Sequence, residues 1–255
     1  MYLADPNRTT RVPPWQLSAP LRQALAPFAI GLTAALLAFE RLPRGTRRTV
    51  WAEDGPVFLR AAMRDEYDPF AVYAGYLHVL PHLAALLVVN MLEVRRYAVA
   101  INISACLLAG LAAAIVYICA EDVIPGTLER TWLALMTVLC PVLGREVLAN
   151  LANLHTLMMW GAFWALWRHP RTLAGAVALA CFELLASLSE AQSVMLLPLA
   201  LFALWQQRTL RQGLIVAGCL LGASCQMLAA LTHARDSAPH LLSLSMVAQL
   251  LAMEV

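Results

Sequence analysis

The chain has 255 residues, is 61% hydrophobic and 13% charged, and has a mean hydropathy of +0.67, whereas a soluble domain carries about 25% charged residues. That balance excludes an ordinary soluble domain and reads as an integral membrane protein. A formal charge of +2 with no basic stripe excludes a nucleic-acid binder.

Every basic residue other than histidine is arginine. Cys106, Cys119, Cys140, Cys181, Cys219 and Cys225 lie in apolar runs without CxxC spacing, so they read as small buried hydrophobes. Met1 to Gln23 is polar and contains proline, unlike a cleavable signal. Arg8, Arg11 and Arg22 against Asp5 place residues 1–20 in the cytoplasm as a tail. The first span is expected over Leu21–Leu42. Residues 43–96 then form a first outer loop, which opens with the stretch TVWAEDGPVF and its adjacent acids Glu53 and Asp54. GPVFLRAAMR reads as a short amphipathic helix with Asp54 as its N-cap.

Further apolar runs cover Tyr76–Leu92, Tyr97–Ala120, Trp132–Leu143, Leu154–Trp167, Leu173–Leu188, Val194–Trp205 and Leu214–Leu231. Several fall short of the roughly 20 residues of a straight span. Leu241–Val255 is amphipathic and suits a membrane face or the side of the bundle. Tyr76–Leu92 decides the topology. Were it a span, RHPR and RTLR would fall outside; lying flat, it puts both inside, with Arg130. Its His78, Pro81, His82 and Asn90 suit an interface. The expected fold is therefore a single all-α domain over 1–255. It is a polytopic transmembrane helix bundle of about seven spans plus juxtamembrane outer helices. Its outer face is chemically rich, and its inner face carries short arginine-bearing turns and little else.

This order of features resembles the GT-C superfamily of polytopic membrane glycosyltransferases. WAEDGPVFL followed by PFAVYAGYLHVLPHLAAL is similar to the family's acidic first outer loop and juxtamembrane helix. LCPVLGREVLANLANLHTLMMWGAFWAL is similar to its helix, outer turn and helix, and LASLSEAQSVMLLPLAL to the next outer turn. The likeness covers about residues 20 to 235. Members usually continue with more spans, so the chain would be a shortened, minimal or degenerate member. The resemblance implies transfer of a sugar from a polyprenyl-phosphate donor to a cell-envelope glycan, lipid or protein acceptor, at the outer face of the plasma membrane. Two other readings stand beside it: a non-catalytic carrier of lipid-linked sugar or membrane subunit on the same scaffold, and a secondary transporter. The absence of an inverted repeat argues against the transporter.

Such transfer needs a carboxylate to accept the acceptor's proton and a guanidinium to hold the leaving phosphate. Asp54 is the first candidate for the base, with Glu53 as its neighbour or as a ligand for a divalent metal such as magnesium or manganese. In the competing structural reading Asp54 only caps the following helix and Glu53 pairs with Arg47 or Arg48. Arg95, Arg96 and Arg145 are phosphate candidates, as is Arg235, and each also suits an interfacial anchor. Arg145 and Glu146 also suit a local ion pair. Glu146 and His155 flank the second outer turn and are candidates to line the cavity. His78 and His82 stand four residues apart on one helical face, a zinc spacing without a third ligand, or else interfacial hydrogen-bonding groups. Tyr73 and Tyr76 suit stacking on a sugar or an interfacial anchor. Glu183 lies in mid-run and is either functional or an interhelical hydrogen bond. Trp132, Trp160, Trp164, Trp167 and Trp205 suit an aromatic belt.

Overall fold

A computed structural model describes residues 19–64 and 67–233, with the side chains of 19–24 and Arg145 outside that description. The expectations for the N-terminal tail, for Arg235 and for Leu241–Val255 lie outside the described residues. The chain is mostly helical. Its long helices are α1 (Ala19–Glu40), α2 (Val79–Met91), α3 (Tyr97–Cys119), α4 (Thr127–Leu139), α5 (His155–Trp167), α6 (Leu173–Ser187), α7 (Leu197–Gln207) and α8 (Leu210–Thr232).

Two interfaces of small residues bring helices close. A Cβ at Gly110 of α3 would lie 2.3 Å from the Gly31 carbonyl oxygen of α1, and one at Gly218 of α8 would lie 2.4 Å from the Ala180 carbonyl oxygen of α6. Only glycine permits that approach. Small-residue packing of this kind is how helices associate where no hydrophobic drive separates them from lipid. Ala34, Ala38, Ala109, Ala113 and Ala162 continue the same close packing in the main core.

Contacts at the helix termini give the directions. The Arg41 guanidinium, just past α1, donates to the carbonyls of Val138, Cys140 and Leu143, so α1 and α4 finish at the same end. Arg168, just past α5, pairs with Glu121, just past α3, at the other end. Gln212, early in α8, donates to the Leu166 carbonyl there. Seven helices thus run between two ends. The eighth, α2, does not. Its first turn is held by Leu188 and Ser189 beyond α6, through Val79 N–H to the Leu188 carbonyl (3.3 Å) and Leu80 N–H to Ser189 Oγ (2.9 Å). Its last turn leads through Val94–Arg96 into the start of α3, where the Tyr97 hydroxyl donates to the Val89 carbonyl. Both termini of α2 therefore meet the same end of the bundle.

Length tempers the expectation of seven spans. The helical stretch Val94–Asp122 and α8 are long and apolar enough to cross a membrane. The residues Leu25–Glu40 and Arg44–Ala62 make a third candidate only as a pair bent by 103°. A helix of 13 residues such as α4 reaches about 20 Å against about 30 Å of hydrocarbon.

The segment before α2 also departs from expectation. Helix was expected from Tyr76; instead Val72–Tyr73 (β1) and Tyr76–Leu77 (β2) pair antiparallel. Ala74 and Gly75 form the turn, at φ 53° and 88°, the left-handed pair that a two-residue hairpin requires. The buried Gln226 side chain of α8 then acts as a neighbouring strand. It accepts from Leu77 N–H (2.9 Å) and donates to the Leu77 carbonyl (3.0 Å).

Candidate functional site

The acid pair sits where the chain leaves α1. Asn102, buried in the first turns of α3, donates through Nδ2 to the carbonyls of Arg47 (3.0 Å) and Thr49 (3.2 Å), which fixes the loop ahead of the pair. Ala52 has φ 37°, a left-handed conformation costly for any residue with a Cβ. A 3₁₀ turn over Ala52–Asp54 runs into a π turn over Gly55–Leu59. Strained backbone and π turns collect at functional sites.

Asp54 is fully buried and does not cap the following helix, which corrects the capping reading. Its carboxylate accepts from the backbone N–H of Leu151 at Oδ2 (3.1 Å) and of Ala152 at Oδ1 (3.2 Å). Asn150 supports the same turn, its Oδ1 accepting from Ala152 N–H at 2.8 Å. Two consecutive amides aimed at one carboxylate form an anion cradle, so the first loop is clamped to the second. Glu53 is half-buried. The structure takes away one of its expected partners, because Arg47 pairs with Glu40 at 2.9 Å. Glu53 is the acid within reach of water, and Asp54 is buried against the two amides.

The clamped turn leads into α5, whose first residue is His155. Its Nδ1 lies 2.7 Å from the Ala152 carbonyl and its Nε2 lies 3.5 Å from the Glu190 carboxylate. A carbonyl only accepts, so Nδ1 carries a proton. Glu190 is buried and also accepts from Gln192 N–H at 2.7 Å.

Beside this pair lies a histidine and aromatic cluster. The Tyr76 ring lies 4.0 Å from the His78 ring, tilted by 33°. Phe58 stands between His78 (5.7 Å) and His82 (5.0 Å), and Tyr67 lies 6.1 Å from His82. Burial pushes the His78 imidazole down to about 4, and the nearby His155 and His82 act in the same direction. Burial also lowers His82, against the opposing pull of Asp68. The Tyr67 phenol is pushed up to about 12 by burial and by Asp68. Both histidines are buried. Neither His82 nitrogen nor the Tyr67 hydroxyl has a hydrogen-bond partner among the described residues.

The other candidates fall elsewhere. Arg95 pairs with Glu93 at 2.5 Å. Arg95 and Arg96 line a groove with Arg48 and Leu92, on a flank that no residue of the acid-pair cluster lines. Glu146 is exposed, and its backbone carbonyl accepts from Asn153 Nδ2. Arg145 opens the short helix Arg145–Leu148 that precedes the clamped amides. Glu183 is fully buried, and neither of its oxygens has a hydrogen-bond partner among the described residues; the interhelical bond expected for it is not found there. Among the described residues no three of His, Cys, Asp and Glu gather to hold a metal ion. The acid pair does not fit one either, since both Asp54 oxygens face backbone amides. At the opposite end the expectation of little besides arginine turns is also corrected. Glu121 binds Arg168 (2.7 Å), with Arg171 (3.4 Å) and Arg130 (3.7 Å) beside it.

Sequence reasoning assigned no role to Glu190, Asn150 or Asn102. Glu190 had a visible signal, a lone acid in the polar turn SLSEAQS between two apolar runs. No family model, no curated protein and no solved structure matches the chain.

Proposed function

We propose that the chain is a membrane-embedded glycosyltransferase of the GT-C type, with seven spans, α2 lying flat on the outer face, and its site at the acid-pair end. The observation that carries this reading is the Asp54 clamp. A buried carboxylate joins the first polar loop to the second, beside a half-buried acid and the His155–Glu190 contact. The resemblance implies an acidic first outer loop followed by a juxtamembrane helix, and here the apolar α2 follows that loop with both its termini at the acid-pair end.

In this reading the acceptor hydroxyl gives its proton to Glu53, the carboxylate within reach of water. Asp54 stays charged, held by its two amides, and positions Glu53. The sugar's bond to phosphate breaks as the acceptor oxygen forms its own. For the leaving phosphate Arg145 stays the candidate on residue type alone, since guanidinium is the best phosphate fork. A lipid donor reaches the site from the bilayer and the acceptor from water.

The test is transfer of labelled sugar from polyprenyl-phosphate donors in membranes, for wild type, Glu53→Gln and Asp54→Asn at matched folded amount. Loss in Glu53→Gln at unchanged stability supports the assignment. Full transfer in Glu53→Gln removes it, and absence of transfer in the wild type favours the carrier reading.

A further inference from the structure

The α1–α3 face carries a charge pattern and a furrow that the transferase reading does not use. At the acid-pair end, Arg44, Arg48 and Arg96 surround two grooves that share Arg48 and Val99. Glu40 and Glu93, the nearby acids, are taken by Arg47 and Arg95. Among the described residues, Arg44, Arg48 and Arg96 have no acidic partner. Three exposed guanidiniums thus stand together uncompensated.

Below them the two helices leave a furrow. Phe28 and Leu32 of α1 and Leu107 and Leu111 of α3 form its walls, and Gly31 and Gly110 its floor. Each pair of wall residues is spaced four apart, so it stays on one face of its helix. Each of these wall residues is 43% exposed or more. Ile103 continues the α3 wall upward into the arginine groove. From Val99 to Leu111 the α3 wall rises about 18 Å, against about 15 Å for one leaflet's half of the hydrocarbon core.

We infer that this face binds one anionic phospholipid, with its headgroup phosphate among Arg44, Arg48 and Arg96 and an acyl chain in the furrow. Charge complementarity selects the occupant. A zwitterionic lipid brings no net negative charge to the three guanidiniums, whereas an anionic one brings a full charge, and a free phosphate leaves the furrow empty. The inference rests on the membrane reading and not on the transferase reading. It assigns Arg96 to bulk lipid rather than to the sugar donor.

The experiment is native mass spectrometry of the detergent-purified, delipidated full chain titrated with phosphatidylglycerol. Wild type is expected to retain one lipid and the triple variant Arg44→Gln/Arg48→Gln/Arg96→Gln to lose affinity on the order of a hundredfold. Leu107→Gln, at an exposed wall position, should weaken retention as well. Phosphatidylcholine should bind weakly, and inorganic phosphate should not displace the anionic lipid. The control variant Arg60→Gln/Arg64→Gln removes exposed charge elsewhere and should bind as wild type. Unchanged binding in the triple variant, equal loss in the control, or displacement by inorganic phosphate would each overturn the site. A polyprenyl phosphate arm keeps the two readings apart. Its binding should survive the triple substitution, and its loss there would make this the donor's site instead.

Discussion

The two ends of the bundle handle buried charge in opposite ways. At one end Glu121 and Asp122 meet Arg168, Arg130 and Arg171 in a network of ion pairs. Arg168 binds Glu121 at 2.7 Å, and its Nη1 lies 3.3 Å from Asp122 as a charge contact outside hydrogen-bond geometry. Arg130 adds a face-on contact with the Tyr117 ring at 4.9 Å. At the other end Asp54 is held by backbone amides and Glu190 by an amide and an imidazole. His82 lies beside them with both nitrogens buried and, among the described residues, without a hydrogen-bond partner. Ion pairs between side chains join helices. The acids of the acid-pair end are held by backbone amides and a histidine instead, and Glu53 stays within reach of water.

Substitutions at the two ends should therefore separate activity from stability. The largest effect expected is on chemistry. Glu53→Gln should lower transfer by about 10²- to 10⁴-fold, the usual worth of a general base, while the thermal midpoint stays at the wild-type value. Asp54→Ala leaves two buried amides without their carboxylate and should cost about 3 kcal/mol, read from denaturation in detergent; transfer should fall with it. Arg168→Met, at the opposite end, should cost about 2 kcal/mol, because a mostly buried pair is broken while its partially exposed partner acid is screened. Transfer per folded molecule should not change. Were Arg168→Met to abolish transfer at matched folded amount, the division between the ends would fail.

A smaller, graded effect should follow pH. The His78 imidazole titrates near 4 in the fold against 6.5 ordinarily. The unfolded chain therefore binds the extra proton between those values. Stability should be complete above about pH 6.5 and fall as pH drops toward 4, as measured by thermal midpoints across that range. His82 is shifted the same way and should steepen the fall. His78→Phe should flatten it.

The helices were legible because long apolar runs bounded by polar turns leave few alternatives. The run expected over Tyr97–Ala120 is helix over Tyr97–Cys119, and that over Leu173–Leu188 is helix over Leu173–Ser187. The stretch before α2 was not legible as hairpin. Tyr76 and Leu77 open an apolar run that reads on into helix, and β2 is held through the Leu77 backbone by Gln226, distant in sequence. The acid pair stood out as two carboxylates beside a first span, but the role of each depends on Leu151 and Ala152. Backbone amides leave no residue-type signal, so no spacing rule reveals an anion cradle. Glu190 reads as a solvated turn acid until the fold brings it to His155.

The most direct test of the central claim compares wild type, Glu53→Gln and Asp54→Asn for sugar transfer and thermal midpoint on the same preparations. An asparagine at position 54 offers an acceptor to one amide but turns an N–H₂ toward the other. The account predicts that Asp54→Asn loses both stability and transfer, while Glu53→Gln loses transfer alone. Full transfer by Glu53→Gln, with loss in Asp54→Asn at undiminished stability, would contradict it and make the buried Asp54 the base.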